Sequence, residues 1–267
     1  MSAALPIRTV EKVWGRETLP PPFAAPDGQR IGEIWFEPPA ALDDLLVKYL
    51  FTSEKLSVQV HPDDAQAQAL GEGTRGKEEC WLVIDAEPGA TLGIGFDRVL
   101  STEQMRAAAR DGSIEQLMTW HPVEAGDFFY IPAGTVHAIG PGVSLIEVQQ
   151  NCDITYRLYD YGRPRELHLE NGMEVAKGEP YGDGQRRKLP ARGEEWLVDG
   201  PHFRLLRTDG EAVDTSAFAD APLLAIPLDA AMTVGGETVA PGNCALAAGL
   251  RDIGFAPDGR ALLAQPY

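Results

Sequence analysis

Cysteine is scarce in this chain. Cys80, Cys152 and Cys244 are the three among 267 residues, and no CxxC spacing joins them. An odd, scattered set does not read as a disulfide framework, and free thiols in a reducing cytoplasm are the simplest account. Cys80 and Cys152 each fall inside a strand-like run, where a thiol serves as a small buried hydrophobe. Long apolar runs are also missing. No stretch approaches the roughly 18 residues of a membrane span. The opening MSAALPIRTVEKVWG has no apolar segment after a basic start, so it does not read as a secretory signal. Positive charge is short as well: 23 Lys and Arg against 40 Asp and Glu leave a net charge of −17. That is the wrong sign for a general nucleic-acid or anionic-membrane surface. The excess acid serves solubility, and an anionic substrate would need a locally basic pocket. The expectation is a cytoplasmic protein with no nucleic acid and no membrane among its partners.

Turn formers are plentiful. The chain has 28 Gly and 21 Pro, mostly between short apolar runs, with an ordinary 44% of hydrophobic residues. That composition favours many short strands over long helices. Strands are expected in IRTVEKVWG, RIGEIWFEP, LLVKYLF, LSVQV, KEECWLVI, VEAGDFFYIP, VSLIEVQQN and ITYRLYDYG. A short helix is expected at 63–73. Residues 101–120 read as helix, capped by Ser101 or Thr102 and divided at Asp111-Gly112. Residues 162–190 are polar, with a short helix at 166–176 and then an exposed connection. A second run of strands follows in EEWLVDGPHFRLLRTDG, APLLAIPLDA, AMTVGG, NCALAAGL and ALLAQPY. The expected division is 1–165, 166–190 and 191–267. A weak echo links 237–252 to 123–138, but the later copy has no histidine at its turn. His202, the remaining histidine of the C-terminal part, reads as structural or surface.

Chemistry concentrates in LSVQVHPDD. Its alternation is that of a strand, with Ser57, Gln59 and His61 on one face. Histidine is the commonest metal ligand. GDFFYIPAGTVHAIG supplies His137 after a Pro-Gly corner, and KEECW brings Glu78 and Glu79 on a third strand. Two His, one Glu and one Gln on strands of one small domain can hold one metal ion. Gly126, Pro132 and His137 stand in a Gly-x5-Pro-x4-His pattern. The glycine allows a tight turn and the proline a rigid corner. This pattern resembles the second cupin motif.

QVHPDD, GKEECW, PAGTVHAI and QQNCDITYRLYDYGR, in this order, closely resemble the type I phosphomannose isomerases, in their short bacterial form. The match covers about residues 7–170. It implies a mainly β fold: a cupin, jelly-roll-like barrel carrying the metal site, a short helical insertion, and a smaller, degenerate cupin-like β domain without a metal site. It implies one Zn²⁺ per chain, bound by Gln59, His61, Glu79 and His137. The implied activity is interconversion of mannose 6-phosphate and fructose 6-phosphate through a cis-enediol. Arg157, Glu147 and Asp153 match the family's catalytic positions, with the general base left open among the acids and a metal-bound water. Lys48, Lys77 and Trp14 match family positions; Ser57, on the strand face of Gln59 and His61, is placed with the lysines at the phosphate end of the expected site. Tyr159 and Tyr161 read as strand packing. Where some long members carry a tyrosine two residues past the metal histidine, this chain has Ile139. Two other readings stay open: a cupin metalloenzyme of another class, such as a dioxygenase or another sugar isomerase, and a non-catalytic sugar-binding cupin.

Overall fold

The computed structural model describes residues 4–210, 218 and 221–267. The chain begins with β1 (Ile7–Arg16), β2 (Ile31–Phe36), β3 (Leu45–Phe51) and β4 (Val58–Val60). Asp63 caps α1 (Asp64–Ala69) through a reciprocal capping box with Gln66. β5 (Glu79–Ala86) and β6 (Thr91–Phe96) precede α2 (Thr102–Asp111), α3 (Ile114–Leu117) and β7 (Met118–Pro122). Ser101 caps α2, and Gly112 ends it at φ 83°. β8 (Asp127–Ile131), β9 (His137–Ile139), β10 (Val143–Gln150) and β11 (Tyr156–Tyr159) complete the N-terminal strands before α4 (Leu169–Val175). The C-terminal part holds β12 (Arg186–Lys188), β13 (Glu195–Asp199), β14 (Phe203–Asp209), β15 (Leu223–Pro227), β16 (Met232–Val234), β17 (Glu237–Val239), β18 (Ala245–Ala247), β19 (Ile253–Gly254) and β20 (Arg260–Pro266). No helix among the described residues is long and apolar enough to cross a membrane.

The strands form stacked layers. A seven-stranded sheet, ordered β1-β2-β3-β10-β5-β8-β12, faces a five-stranded sheet, ordered β11-β4-β9-β6-β7. Between them lies a core that includes Trp14, Leu50, Trp81, Leu92, Phe129 and Leu145. Each such buried side chain contributes about 1.5–3 kcal/mol by leaving water. The outer face of the five-stranded sheet packs on α2, α3 and α4 through Phe96, Met105, Leu158 and Met173. The outer face of the seven-stranded sheet packs through Val47, Leu82 and Ile146 against Leu205, Leu224 and Leu262 of the C-terminal sheet. That sheet, β13-β14-β20-β15-β18, in turn covers a three-stranded one. The chain is mainly β with the cupin arrangement of two facing sheets.

Four local expectations are corrected. Residues 118–120 are strand, because β7 pairs with β6 and places Trp120 opposite Gly93. Residues 186–188 form an edge strand on β8, where an exposed connection was expected. Residues 91–96, which carry no expected element, form a strand of the metal-bearing sheet. Cys152 sits at the bend after β10, half-buried, and not inside a strand.

Candidate active site

Register sets the site. On β10, Glu147 pairs across to Lys48 of β3 on one side and to Trp81 of β5 on the other. On the facing sheet, Gln59 of β4 pairs with His137 of β9. The approach to β9 turns at Gly134, whose φ of 83° suits glycine. His61, Glu79 and His137 are all buried, and one candidate ligand atom from each lies within 4.8 Å of the others.

Hydrogen bonds orient the imidazoles. His61 Nδ1 is 2.8 Å from the Ile154 carbonyl oxygen, and His137 Nδ1 is 2.9 Å from that of Thr135. A carbonyl can only accept, so each Nδ1 carries its proton and each Nε2 presents a lone pair as an acceptor. Those lone pairs converge on Glu79 Oε1, at 3.7 Å from His61 and 3.3 Å from His137. Oε1 itself has no hydrogen-bond partner. Burial first, then the Lys77 charge, holds His61 neutral, and burial lowers His137 to about 4. Three buried acceptors face one another; Lys77 Nζ approaches His61 Nε2 at 3.3 Å, Glu79 Oε1 is left without a donor, and a divalent cation fits between the three. Gln59 stands beside them, with Nε2 3.2 Å from His137 Nε2. Turned over, its amide would present oxygen instead.

A chain of charges runs outward from this cluster. Lys77 Nζ lies 2.8 Å from Glu79 Oε2 and 3.8 Å from Glu147 Oε1. Lys48 lies 3.3 Å from Glu147 Oε1, and Trp81 Nε1 donates to Glu147 Oε2 at 3.0 Å. Burial alone would raise the Glu147 carboxyl, but Lys77 and Lys48 hold it low and ionised. Burial, together with the Glu147 charge, pushes Glu79 up. A cavity of about 270 Å³ opens beside the cluster. Its wall includes Trp14, Lys48, Ser57, Gln59, Lys77, Glu147, Asp153 and Arg157, so it unites the named catalytic and substrate-side residues.

No family model matches the chain. The mannose-6-phosphate isomerase of Streptococcus mutans is 44% identical over 183 residues, which are 66% of this chain and 57% of that protein. Over that stretch the chain is similar to this mannose-6-phosphate isomerase. It spans a little over half the length of the curated relative it matches. The crystal structure of the mannose 6-phosphate isomerase from Bacillus subtilis superposes with a TM-score of 0.78 over 98% of each chain, at 24% identity. A zinc-bound mannose 6-phosphate isomerase superposes with a TM-score of 0.71 over 98% of each chain, at 15% identity. These two likenesses show the shared fold.

Of the adjacent acids, Glu79 points into the cluster, while Glu78 accepts from the Tyr130 hydroxyl on the other side. His202 lies 3.8 Å from Asp64 and 4.0 Å from Glu78, outside the site. Arg157 belongs to β11 and Glu147 to β10, so they reach the cavity from different sheets. Arg157 Nη1 donates to the Glu166 carbonyl, and its Nε has no partner. Asp160 pairs with Arg163 and Arg165, leaving Arg157 without it. Ser57 Oγ lies 3.3 Å from Gln59 Oε1. Tyr159 and Tyr161 stack edge to face on each other. Ile139 lines the cavity. Sequence reasoning passed over Lys12, Glu33, Thr155 and Arg165 of the same wall. Lys12 carried a signal, two residues before Trp14 on one strand face. Arg165, beyond β11, carried none.

Proposed function

We propose that the chain is a metal-dependent aldose–ketose isomerase that interconverts mannose 6-phosphate and fructose 6-phosphate through a cis-enediol. One observation carries this reading: the buried acceptor cluster adjoins a cavity walled by five cations and three carboxylates. In a chain of net charge −17 this is the local basic pocket that a phosphosugar dianion needs. The homologous stretch of the Streptococcus mutans isomerase supports the activity. Oxygenase chemistry in a cupin would not need those cations. The substrate-bearing part is residues 1–165, 166–190 is a connection packed on it, and 191–267 is a β domain without a metal site. The expected compartment is the cytoplasm.

One zinc ion per chain is the resident metal in this reading, held by His61, Glu79, His137 and, through its amide oxygen, Gln59. The zinc-bound relative supports that choice. When bound, the ion supplies Lewis-acid polarisation or orientation of a sugar oxygen. The remaining chemistry belongs to side chains. Arg157 is the donor for the developing enediolate oxygen. Asp153, exposed and with no ion pair among the described residues, is the freer proton acceptor. Glu147, bound by two lysines and an indole, holds those lysines in place and is the weaker base. Lys48, Lys77 and Ser57 contact the sugar phosphate's oxygens, and Trp14 closes the apolar end.

The test is a coupled assay of zinc-loaded protein with mannose 6-phosphate, repeated after chelation and zinc restoration. Turnover that is lost and regained supports the proposal. No turnover of any phosphohexose with metal bound overturns it.

A further inference from the structure

A second cavity, of about 540 Å³, lies between the seven-stranded sheet and the C-terminal sheet. It is on the reverse face of the strands that carry the active-site charges. By strand alternation Tyr49 follows Lys48 and faces away from it, and Ile146 precedes Glu147 in the same way. Both Tyr49 and Ile146 line this cavity.

The wall contains an anomaly. Arg207 is 2% exposed, yet among the described residues no carboxylate pairs with it. Its Nη1 and Nη2 donate to the carbonyls of Pro190 and Gly193, each at 2.6 Å. Its Nε has no partner. A buried charge normally has a countercharge. Lys188 and Arg260 also border the cavity, but each has its own carboxylate, Glu124 at 2.8 Å and Asp229 at 2.7 Å, so Arg207 is the cation of this wall left without one among the described residues. Much of the remaining wall is apolar, including Phe23, Leu189 and Leu228. An apolar pocket with one charged anchor is the usual form of a small-ligand site.

We propose that this cavity binds a small organic anion, an acidic group on an apolar body, with Arg207 as its countercharge. The site is separate from the metal cluster, and its test does not depend on isomerase activity. The probe is anilinonaphthalenesulfonate, titrated by fluorescence into the full chain, beside the uncharged N-phenylnaphthylamine. The native protein should bind the anion at one site per chain, at least tenfold more tightly than the uncharged probe. Arg207→Met should abolish that preference, and Arg207→Lys should keep part of it. Ala191→Trp, at an exposed residue of the wall, should weaken both probes at least tenfold with unchanged thermal unfolding; this variant decides the matter if Arg207→Met does not fold. If Arg207 only pins the 190–193 turn, its replacement lowers the melting temperature and leaves the preference intact. That result, equal binding of the two probes by native protein, or full binding by Ala191→Trp would overturn the proposal.

Discussion

At the scale of single residues, the metal cluster makes a direct prediction. His61→Ala or His137→Ala removes one of two oriented lone pairs and leaves Glu79 Oε1 facing a void. Both variants should lose bound metal, measured by elemental analysis, and lose activity with it; full occupancy in either would break the assignment. Arg157→Ala should leave metal content unchanged and lower kcat about 10²–10³-fold with little change in KM, because a donor aimed at developing charge acts mainly in the transition state. A raised KM with kcat retained would assign Arg157 to phosphate binding. Asp153→Asn should cost about 10²–10⁴ in kcat if that carboxylate is the proton acceptor. Glu147→Gln measured beside it discriminates between the two acids. His61 and His137 were legible as ligand candidates because each sits in a local pattern, strand parity for the first and a Gly-Pro turn for the second; Gln59 and the choice of Glu79 over Glu78 came from the family resemblance. Glu33 was not legible: its place in the wall comes from pairing between β1 and β2, and neither Glu of GEIWFE has a local mark.

Elements place those residues, and turns place the elements. Gly134 adopts φ 83°, and a Cβ there would meet the Val175 carbonyl oxygen at 2.9 Å. Gly134→Ala should therefore destabilise the fold by at least about 1–2 kcal/mol, the cost of the left-handed conformation alone. It should also weaken metal binding, since His137 opens the next strand. Denaturant midpoints and a metal titration check both, and unchanged values would show a compliant turn. On the helical side, Ser101→Ala removes the cap of α2 and should cost about 1 kcal/mol. Metal affinity should not change, because α2 lies outside the five-stranded sheet. The helices were legible from caps and glycines, with α2 ending at Gly112. The end of α3 was not, because Met118–Trp120 has no local breaker and becomes strand only through the β6 partner.

For the whole molecule, burial of titratable groups sets the response to acid. His137 falls to about 4 in the folded state, from burial, while an unfolded histidine titrates near about 6.5. Protons therefore bind the unfolded chain more strongly. The metal-free protein should hold its full stability above about pH 6.5 and lose it as pH falls from there through 4, by about 3 kcal/mol from this group. Glu79, pushed up by burial, works with the opposite sign over the same range, so the test compares the change between pH 7 and pH 4.5 in the native protein with that in His137→Gln, which should lose about 3 kcal/mol less; an equal change in both would mean that the pocket admits water to the imidazole. Burial also raises the thiols of Cys80 and Cys244, so a thiol reagent should reach them only in denaturant.

Composition, strand parity and turn residues are local properties of the chain. By themselves they determined a mainly β protein, most of its strands, and a short list of residues able to hold a metal. The seven-stranded sheet joins β10 to β3 and β5, segments about sixty to a hundred residues apart in sequence. Only that long-range pairing decided that Lys48, Lys77 and Glu147 share one charge cluster, that Glu79 faces inward while Glu78 bonds Tyr130, and that Arg207 is buried with no carboxylate partner among the described residues. Such arrangements depend on which strands become neighbours, and no local periodicity carries that information.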